Sequence, residues 1–456
     1  MKHDVIIIGG GLSGLSAAVE LASLGFPALL LEAHQYLGGR TRSFVDDATG
    51  DVVDNGQHLM MGCYKETRRL LRTIGADHLA KLQPNLHIDF LHPARGFSSL
   101  SCPSLPAPLH VLAGLLGLKS LSFNDRLKLT RVGVELLRNP GDVENELEEK
   151  TVDEWLTSLG QPPENRKYLW DVIAIGSLND DPKVVSALLF YRVLRAAFLG
   201  QRQNSAMLVP TVGLSELFVE PSVRYLDSHG SEAKTGCGVE ELVREGDRVV
   251  GVRCADGITR EAGAFVVAIP QYAFADLVLA SKTLKPQEFQ AVRAFESSPI
   301  ITINLWLDRQ VLQQEFAAFL DSRVQWIFNR TKMLNRSTGS GQYLALVISG
   351  AGPFVEMGKD ELVDLAMEDL RTALPEALSA KVVHSQVIKE RRATFSPKPG
   401  IERLRPRAAT AFENLFLAGD WTATGFPATI EGAVMSGKSA ALLVERYLRR
   451  SVTGGL

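Results

Sequence analysis

The chain has 456 residues, 45% of them apolar and 22% charged, with a formal net charge of −3. This length exceeds one small hydrophobic core and requires two or three domains, and the composition is that of an ordinary globular enzyme. The absence of a basic excess argues against a nucleic-acid partner. Cys63, Cys102, Cys237 and Cys254 are scattered without CxxC spacing, so they read as reduced, buried thiols, and no metal site or redox dithiol is expected. No uninterrupted apolar run reaches the about 18 residues of a membrane-spanning helix, and the first such run, at Val5, reads as a strand rather than a leader.

In chain order, an apolar strand from Val5 runs into Gly9, Gly11 and Gly14. A helix over 12–24 follows at once, with Leu15, Ala18, Val19 and Ala22 on one face and Gly25 where a C-terminal cap belongs. Glu32 closes the next apolar run, 28–31, roughly 20 residues past the glycines, at the distance expected of a ribose-binding acid. Leu37-Gly38-Gly39-Arg40-Thr41-Arg42 comes next, with two glycines for close backbone approach and an arginine able to pair with a phosphate. Residues 64–74 read as a helix with Leu70, Leu71 and Ile74 inside and a solvated cluster of Arg68, Arg69 and Arg72.

From about residue 90 to 205 apolar helices dominate, for example 125–138 and 184–199, with proline-rich breaks at 103–108 and 162–163. The strongly apolar segment 105–118, followed by Lys119, Arg126, Lys128 and Arg131, has two readings: a buried helix, or a surface that dips into a bilayer while the cations meet anionic headgroups. Short strands return over 205–280, with a strand at 249–254, a turn at Asp256-Gly257 and a buried strand at 265–269 ended by Pro270. Segments 299–307, 324–329 and 342–348 alternate like strands of a second sheet, and 360–373 like an amphipathic helix. A last buried strand, 414–418, delivers Gly419-Asp420, and a long helix runs over 429–449. The nucleotide-binding domain is thus expected in three pieces, 1–90, 205–285 and 390–456. Residues 91–204 and 286–389 are left to a substrate-binding domain carrying the candidate membrane-contact helices.

Strand, glycine turn, helix and distal acid form a dinucleotide-binding pattern: the glycines permit a tight turn and close approach, and the helix N-terminus offers free N–H groups to a pyrophosphate. A strand that delivers Asp420 at its C-terminal edge, followed by a helix starting near Thr429, points a positive helix end at the same crevice.

These three motifs, in this order, resemble the FAD-dependent amine-oxidase and phytoene-desaturase superfamily over nearly the whole chain, and the Gly38-Gly39-Arg40 stretch is what favours FAD over NAD. Within it the chain is most similar to the squalene-associated, desaturase-type hydroxysqualene dehydroxylases of hopanoid synthesis. That likeness rests on Asp54-Asn55-Gly56-Gln57-His58-Leu59, Ser177-Leu178-Asn179, Val209-Pro210 with Gly213-Leu214, and Arg391-Arg392-Ala393-Thr394-Phe395, while residues 171–176 match less well. The resemblance implies an α/β fold: a discontinuous Rossmann-type FAD domain of the amine-oxidase and glutathione-reductase kind, with a mixed-sheet and helical substrate domain. It implies that Gly9, Gly11, Leu12, Ser13 and Gly14 cradle the pyrophosphate, Glu32 with Ala33 meets the ribose, and Gly38, Gly39, Arg40 and Thr41 meet a phosphate. Val239 would contact the adenine, Gly419 and Asp420 the pyrophosphate or ribityl chain, and Thr429, Ile430 and Ala433 the flavin ring, with Gly56, Gln57 and His58 against the isoalloxazine.

The implied reaction is reductive removal of the hydroxyl of hydroxysqualene, a hydrophobic C30 isoprenoid, to give squalene, with an unidentified electron donor for FAD. Hydroxide leaves poorly, so a general acid is expected. His58 is the first candidate, against an equal reading as a structural histidine, and Asp54 the second, against a turn-building role. Trp170, Tyr191, Phe198 and Trp306 are candidates to line an apolar tunnel, against plain core positions. Such a substrate implies a cytoplasmic enzyme with peripheral contact at the inner face of the cell membrane. The rival readings are a carotenoid or phytoene desaturase, an amine oxidase, and, from another class, a non-catalytic FAD-containing lipid-binding subunit.

Overall fold

The computed structural model describes residues 3–281, 286–336, 339 and 341–453; the boundary expected at residue 285 lies outside them, as do both termini. The strand Val5–Ile8 is buried along its whole length, as a strand covered on both faces must be. It sits at the centre of a five-stranded parallel sheet in the order Glu232–Lys234, Ala28–Leu31, Val5–Ile8, Ala264–Val267, Leu415–Leu417. Three stretches far apart in the chain therefore meet in one sheet. Asn414 secures the last of them, exchanging hydrogen bonds with both backbone groups of Val249 and donating to the Gly263 carbonyl.

The helix Leu12–Ser23 packs over this sheet, and Gly25 (φ +83°) ends it: the Gly25 and Phe26 amides turn back onto the Ala22 and Leu21 carbonyls. Its expected apolar face is buried, and so is the opposite face, because the C-terminal helix Ile430–Thr453 covers it. The contact is backbone against backbone: a Cβ on Gly437 would lie 2.2 Å from the Ser13 carbonyl oxygen.

A seven-stranded mixed sheet forms the second layer, in the order Val382–Phe395, Ser297–Leu307, Gln342–Ser349, Trp326–Asn329, Phe316–Phe319, His87–His92, Gly96–Ser101. All three strands expected from alternation are neighbours in it, whereas the hairpin 87–101 was not foreseen. One face, with Ile301, Ile303 and Leu305, is covered by the helix Lys359–Ala373. Arg248–Cys254 pairs with Thr259–Glu261 around the expected Asp256-Gly257 turn. A helix, Glu220–Ser228, stands where only short strands were expected; it continues directly from a wider π-helical turn, Ser215–Val219, and Pro221 lies just past that junction.

The helices of 109–198, among them Phe123–Leu137, Val152–Ser158 and Ala187–Phe198, pack into the same apolar core as one face of each of the two sheets. The basic cluster at 68–72 is not simply solvated: Arg68 and Arg69 are half-buried, and Arg69 pairs with both Glu20 and Glu66. No helix among the described residues is long and apolar enough to cross a membrane.

The helix-to-helix contact gives a direct expectation. Gly437→Ala should force the C-terminal helix off the nucleotide-binding helix and lower stability by about 1–3 kcal/mol. A urea midpoint equal to that of the unmodified chain would show that the contact is not tight.

Candidate functional site

The nucleotide cradle is built almost entirely from backbone. Gly9 adopts φ +104°, and a Cβ there would lie 2.7 Å from the Ala268 carbonyl, so only glycine fits. A Cβ on Gly14 would lie 1.9 Å from the Gly9 carbonyl, which lets the helix start hard against the strand. Gly11 differs: it has ordinary extended backbone (φ −71°, ψ 178°), and a Cβ there would meet nothing within 4 Å. Neither conformation nor protein packing requires glycine at this position, so a Cβ there would stand in open space at the mouth of the cradle. No side chain caps the N-terminus of Leu12–Ser23, so its amides face the same space. Gly38 bridges to Gly11 and its amide donates to the Gly10 carbonyl, bringing the second glycine motif to the first.

Beside the cradle lies a cavity of about 650 Å³, lined among others by Gly9, Glu32, Ala33, Val239, Ile269 and Ala273. It opens at the C-terminal ends of the central strands, where open α/β sheets bind ligands. The buried Glu32 carboxylate accepts from the Gly10 amide (2.7 Å) and the His34 amide (2.8 Å), which fixes its orientation at the cavity wall and leaves each oxygen a further lone pair for a sugar hydroxyl. The residues present therefore fit the adenosine and pyrophosphate of a dinucleotide.

Arg40 and Asp420 come together as an ion pair at 2.8 Å. Burial works against the Arg40 charge, but Asp420 outweighs it and holds the guanidinium above its ordinary pKa. The Asp420 carbonyl is held by the fully buried Arg405, which also donates to Thr424 and to the Phe426 carbonyl and pairs with Glu402. Thr429 caps the C-terminal helix: its hydroxyl accepts from the Gly432 amide (3.1 Å) and its carbonyl from the Ala433 amide, with Ile430 buried behind it. Two residues not identified from sequence support this region. Glu431 is buried and accepts from the Glu66 and Thr67 amides and the Thr67 hydroxyl, so it caps the helix Lys65–Thr73 from a position 364 residues away from Thr67. Burial raises its pKa above the usual carboxylate value. Trp421, fully buried, donates to the Ile269 carbonyl.

Both expected acids have partners in the structure. One oxygen of the Asp54 carboxylate accepts from the Ser43 hydroxyl (2.6 Å) and the Leu214 amide (2.9 Å), and the other from Arg330 (2.8 Å). Both side chains are essentially buried, so Asp54 and Arg330 form an ion pair shielded from solvent. His58 lies near Asp54 and Arg40, and its Nδ1 donates to the Gly56 carbonyl at 2.7 Å, since that oxygen can only accept. Burial pushes its pKa below the ordinary histidine value, which disfavours the protonated ring. Of the candidate tunnel aromatics, Trp170, Tyr191 and Phe198 belong to the main apolar core. Trp306 lies on the other face of the seven-stranded sheet from the Lys359–Ala373 helix, stacked on Tyr343.

Known proteins carry the same pattern. A family model described as flavin containing amine oxidoreductase matches residues 12–444. The chain is 31% identical over 453 residues to a hydroxysqualene dehydroxylase of Sinorhizobium fredii, covering 97% of this chain and 98% of that one. It is 28% identical to a 15-cis-phytoene desaturase of Solanum lycopersicum, over 97% of this chain and 78% of the other. In fold it resembles the cyclohexylamine oxidase of Brevibacterium oxydans, with a TM-score of 0.70 at 19% identity over 99% and 100% of the two chains. The chain is thus an oxidoreductase whose cofactor is FAD. Gly11→Val should then leave the urea midpoint of the FAD-free protein unchanged, because no protein atom is met, while weakening FAD binding at least about 100-fold, the effect of ~3 kcal/mol. Retention of flavin by this variant would remove Gly11 from the cradle. Matched along nearly its whole length and folded around that cradle, the chain belongs to the flavin containing amine oxidoreductase family.

Proposed function

We propose that this protein removes the hydroxyl of hydroxysqualene reductively, giving squalene. The observation that carries the proposal is its near-full-length similarity, at 31% identity, to a hydroxysqualene dehydroxylase. In the balanced reaction the carbinol carbon gains a hydride, its C–O bond breaks, and the departing hydroxyl takes up one further proton to leave as water. Two-electron-reduced FAD, when bound, would account for both the hydride and that proton.

The chain's own residues bind and orient. Glu32 takes the ribose in the 650 Å³ cavity, with Val239 against the adenine. Gly9 to Gly14 and Gly38 to Thr41 receive the pyrophosphate, and the Arg40–Asp420 pair fixes the edge of that site. The N-terminus of the helix beginning at Ile430, capped by Thr429, places its positive end where negative charge builds on the reduced ring, with Ala433 and the Gly56, Gln57, His58 loop beside it.

The similarity to a phytoene desaturase favours a second reading, in which the flavin is reduced by the substrate. Anaerobic mixing separates the two. Hydroxysqualene should reoxidise photoreduced holoenzyme and yield squalene by mass analysis. Bleaching of oxidised holoenzyme by phytoene, with no reaction of hydroxysqualene, would establish the desaturase instead.

An insoluble substrate also calls for contact with a lipid surface. In segment 105–118 Val111, Leu115 and Leu118 are buried, so the segment is partly core, but Leu105, Leu109 and Leu112 are exposed. The adjoining helix Phe123–Leu137 continues the surface: Phe123, Leu127, Val134 and Leu137 are exposed at helical spacing on one stripe, with Lys119 and Arg131 exposed nearby. We propose that this stripe rests on an anionic bilayer from the cytoplasmic side. The wild-type protein should float with liposomes containing anionic lipid, and Phe123→Asp with Leu127→Asp, both at exposed positions, should stay behind. Equal flotation would overturn the docking surface.

A further inference from the structure

The seven-stranded sheet has one face committed to the Lys359–Ala373 helix and one that is chemically divided. On this second face Thr302, Asn304 and Trp306 alternate with the buried Ile301, Ile303 and Leu305. Register places Asn304 between Gln386 and Ala345, and Trp306 between His384 and Tyr343. Farther across, Val347 pairs with Trp326 and Ala345 with Phe328, so most of the face is apolar.

Its polar corner is tightly connected. The Tyr343 hydroxyl donates to Asn304 Oδ1 at 2.9 Å while its ring stacks on Trp306 at 4.4 Å. The Arg330 charge lies beside that phenol, and Arg330 Nη2 pairs with Asp54, which leads into the Gly56–His58 loop. Several buried atoms of this corner have no hydrogen-bond partner among the described residues: Asn304 Nδ2, Gln386 Oε1, Arg330 Nε and Nη1, and Gln57 Nε2 on the loop. Asn304 is 1% exposed and Arg330 0%, so leaving their donors unmatched is costly, and each calls for a partner that the protein itself does not supply. Asn304 and Gln386 face each other across adjacent strands and present one free donor and one free acceptor. A hydroxyl is the group that answers both, because it accepts and donates at the same oxygen.

We propose that Asn304 and Gln386 bind the hydroxyl of the substrate alcohol, Asn304 Nδ2 donating a hydrogen bond to its oxygen and Gln386 Oε1 accepting a hydrogen bond from its O–H. Arg330 and Tyr343 act as positioning residues: Tyr343 holds the Asn304 amide, and the Arg330 charge polarises the corner in favour of an oxygen gaining negative charge as its bond to carbon breaks. The apolar remainder of the face receives hydrocarbon. This inference rests on the dehydroxylase reading, and it names the part of the chain that tells an alcohol from the corresponding hydrocarbon.

The test uses oxidised holoenzyme, which binds the alcohol without reducing it. Dissociation constants for hydroxysqualene and for squalene are measured in detergent micelles by quenching of tryptophan fluorescence. The wild type should prefer the alcohol by about tenfold or more, the size of one or two buried hydrogen bonds. Asn304→Leu and Gln386→Leu should each bring that preference close to one while leaving squalene binding and flavin content unchanged. Gln386 is half-buried, so its variant keeps the test valid if Asn304→Leu fails to fold. A wild-type preference that both variants retain would overturn the assignment of Asn304 and Gln386 and leave the dehydroxylase reading standing. A wild type with no preference would overturn both.

Discussion

The structure depends on close backbone contact between segments that are remote in sequence. Gly14 against the Gly9 carbonyl seats the first helix on its strand, and Gly437 against the Ser13 carbonyl seats the last helix on the first. Side chains at these positions would separate the layers by more than an ångström and tilt the uncapped helix N-terminus away from the pyrophosphate. The shape of the cradle is thus set by steric limits, and the Glu32 carboxylate at its wall is oriented by backbone as well, through the Gly10 and His34 amides.

Charge is handled by the same economy. Asp420 neutralises Arg40, Glu402 and three neutral acceptors surround Arg405, and Glu431 spends its burial on the free amides of a second helix. Arg40, Arg405 and Glu431 each draw at least one partner from a distant part of the chain, which couples the nucleotide site to the helix Lys65–Thr73 on one side and to the 402–405 segment on the other. Removing one partner from such a set leaves an uncompensated charge, so these residues behave as groups rather than singly.

What sequence could reveal follows from how local the cause is. The Gly9 turn, the Gly25 cap, the Asp256-Gly257 hairpin and the alternation of 299–307 are dictated within a few residues, and each has its structural counterpart where it was expected. The hairpin 87–101 was hidden because the sheet it joins is completed by strands more than 200 residues later. Glu431 looks like an ordinary acid in a first helical turn, and nothing nearby indicates that it caps another helix. His58 shows the same limit: its Nδ1 contact to the Gly56 carbonyl is local, but the burial that lowers its pKa is set by the fold and is not written in adjacent residues.

Asp54 and Arg330 show why a buried ion pair has to be read for geometry before stability. Desolvating both groups consumes most of what their attraction returns, and apolar residues of similar size would often serve the fold as well. What such substitutes could not do is fix a distance. Asp54 ends the strand Val52–Asp54 at the foot of the 55–59 loop, and Arg330 follows the strand Trp326–Asn329 in the seven-stranded sheet. The pair, reinforced by Ser43 and the Leu214 amide, ties the loop to the sheet at one point. It also brings a guanidinium with spare donors into an otherwise apolar face, where low dielectric magnifies whatever that charge touches. A chain that needed only stability would have filled this corner with leucine; the retained polarity is intelligible as a means of holding one oxygen atom in place among hydrocarbon.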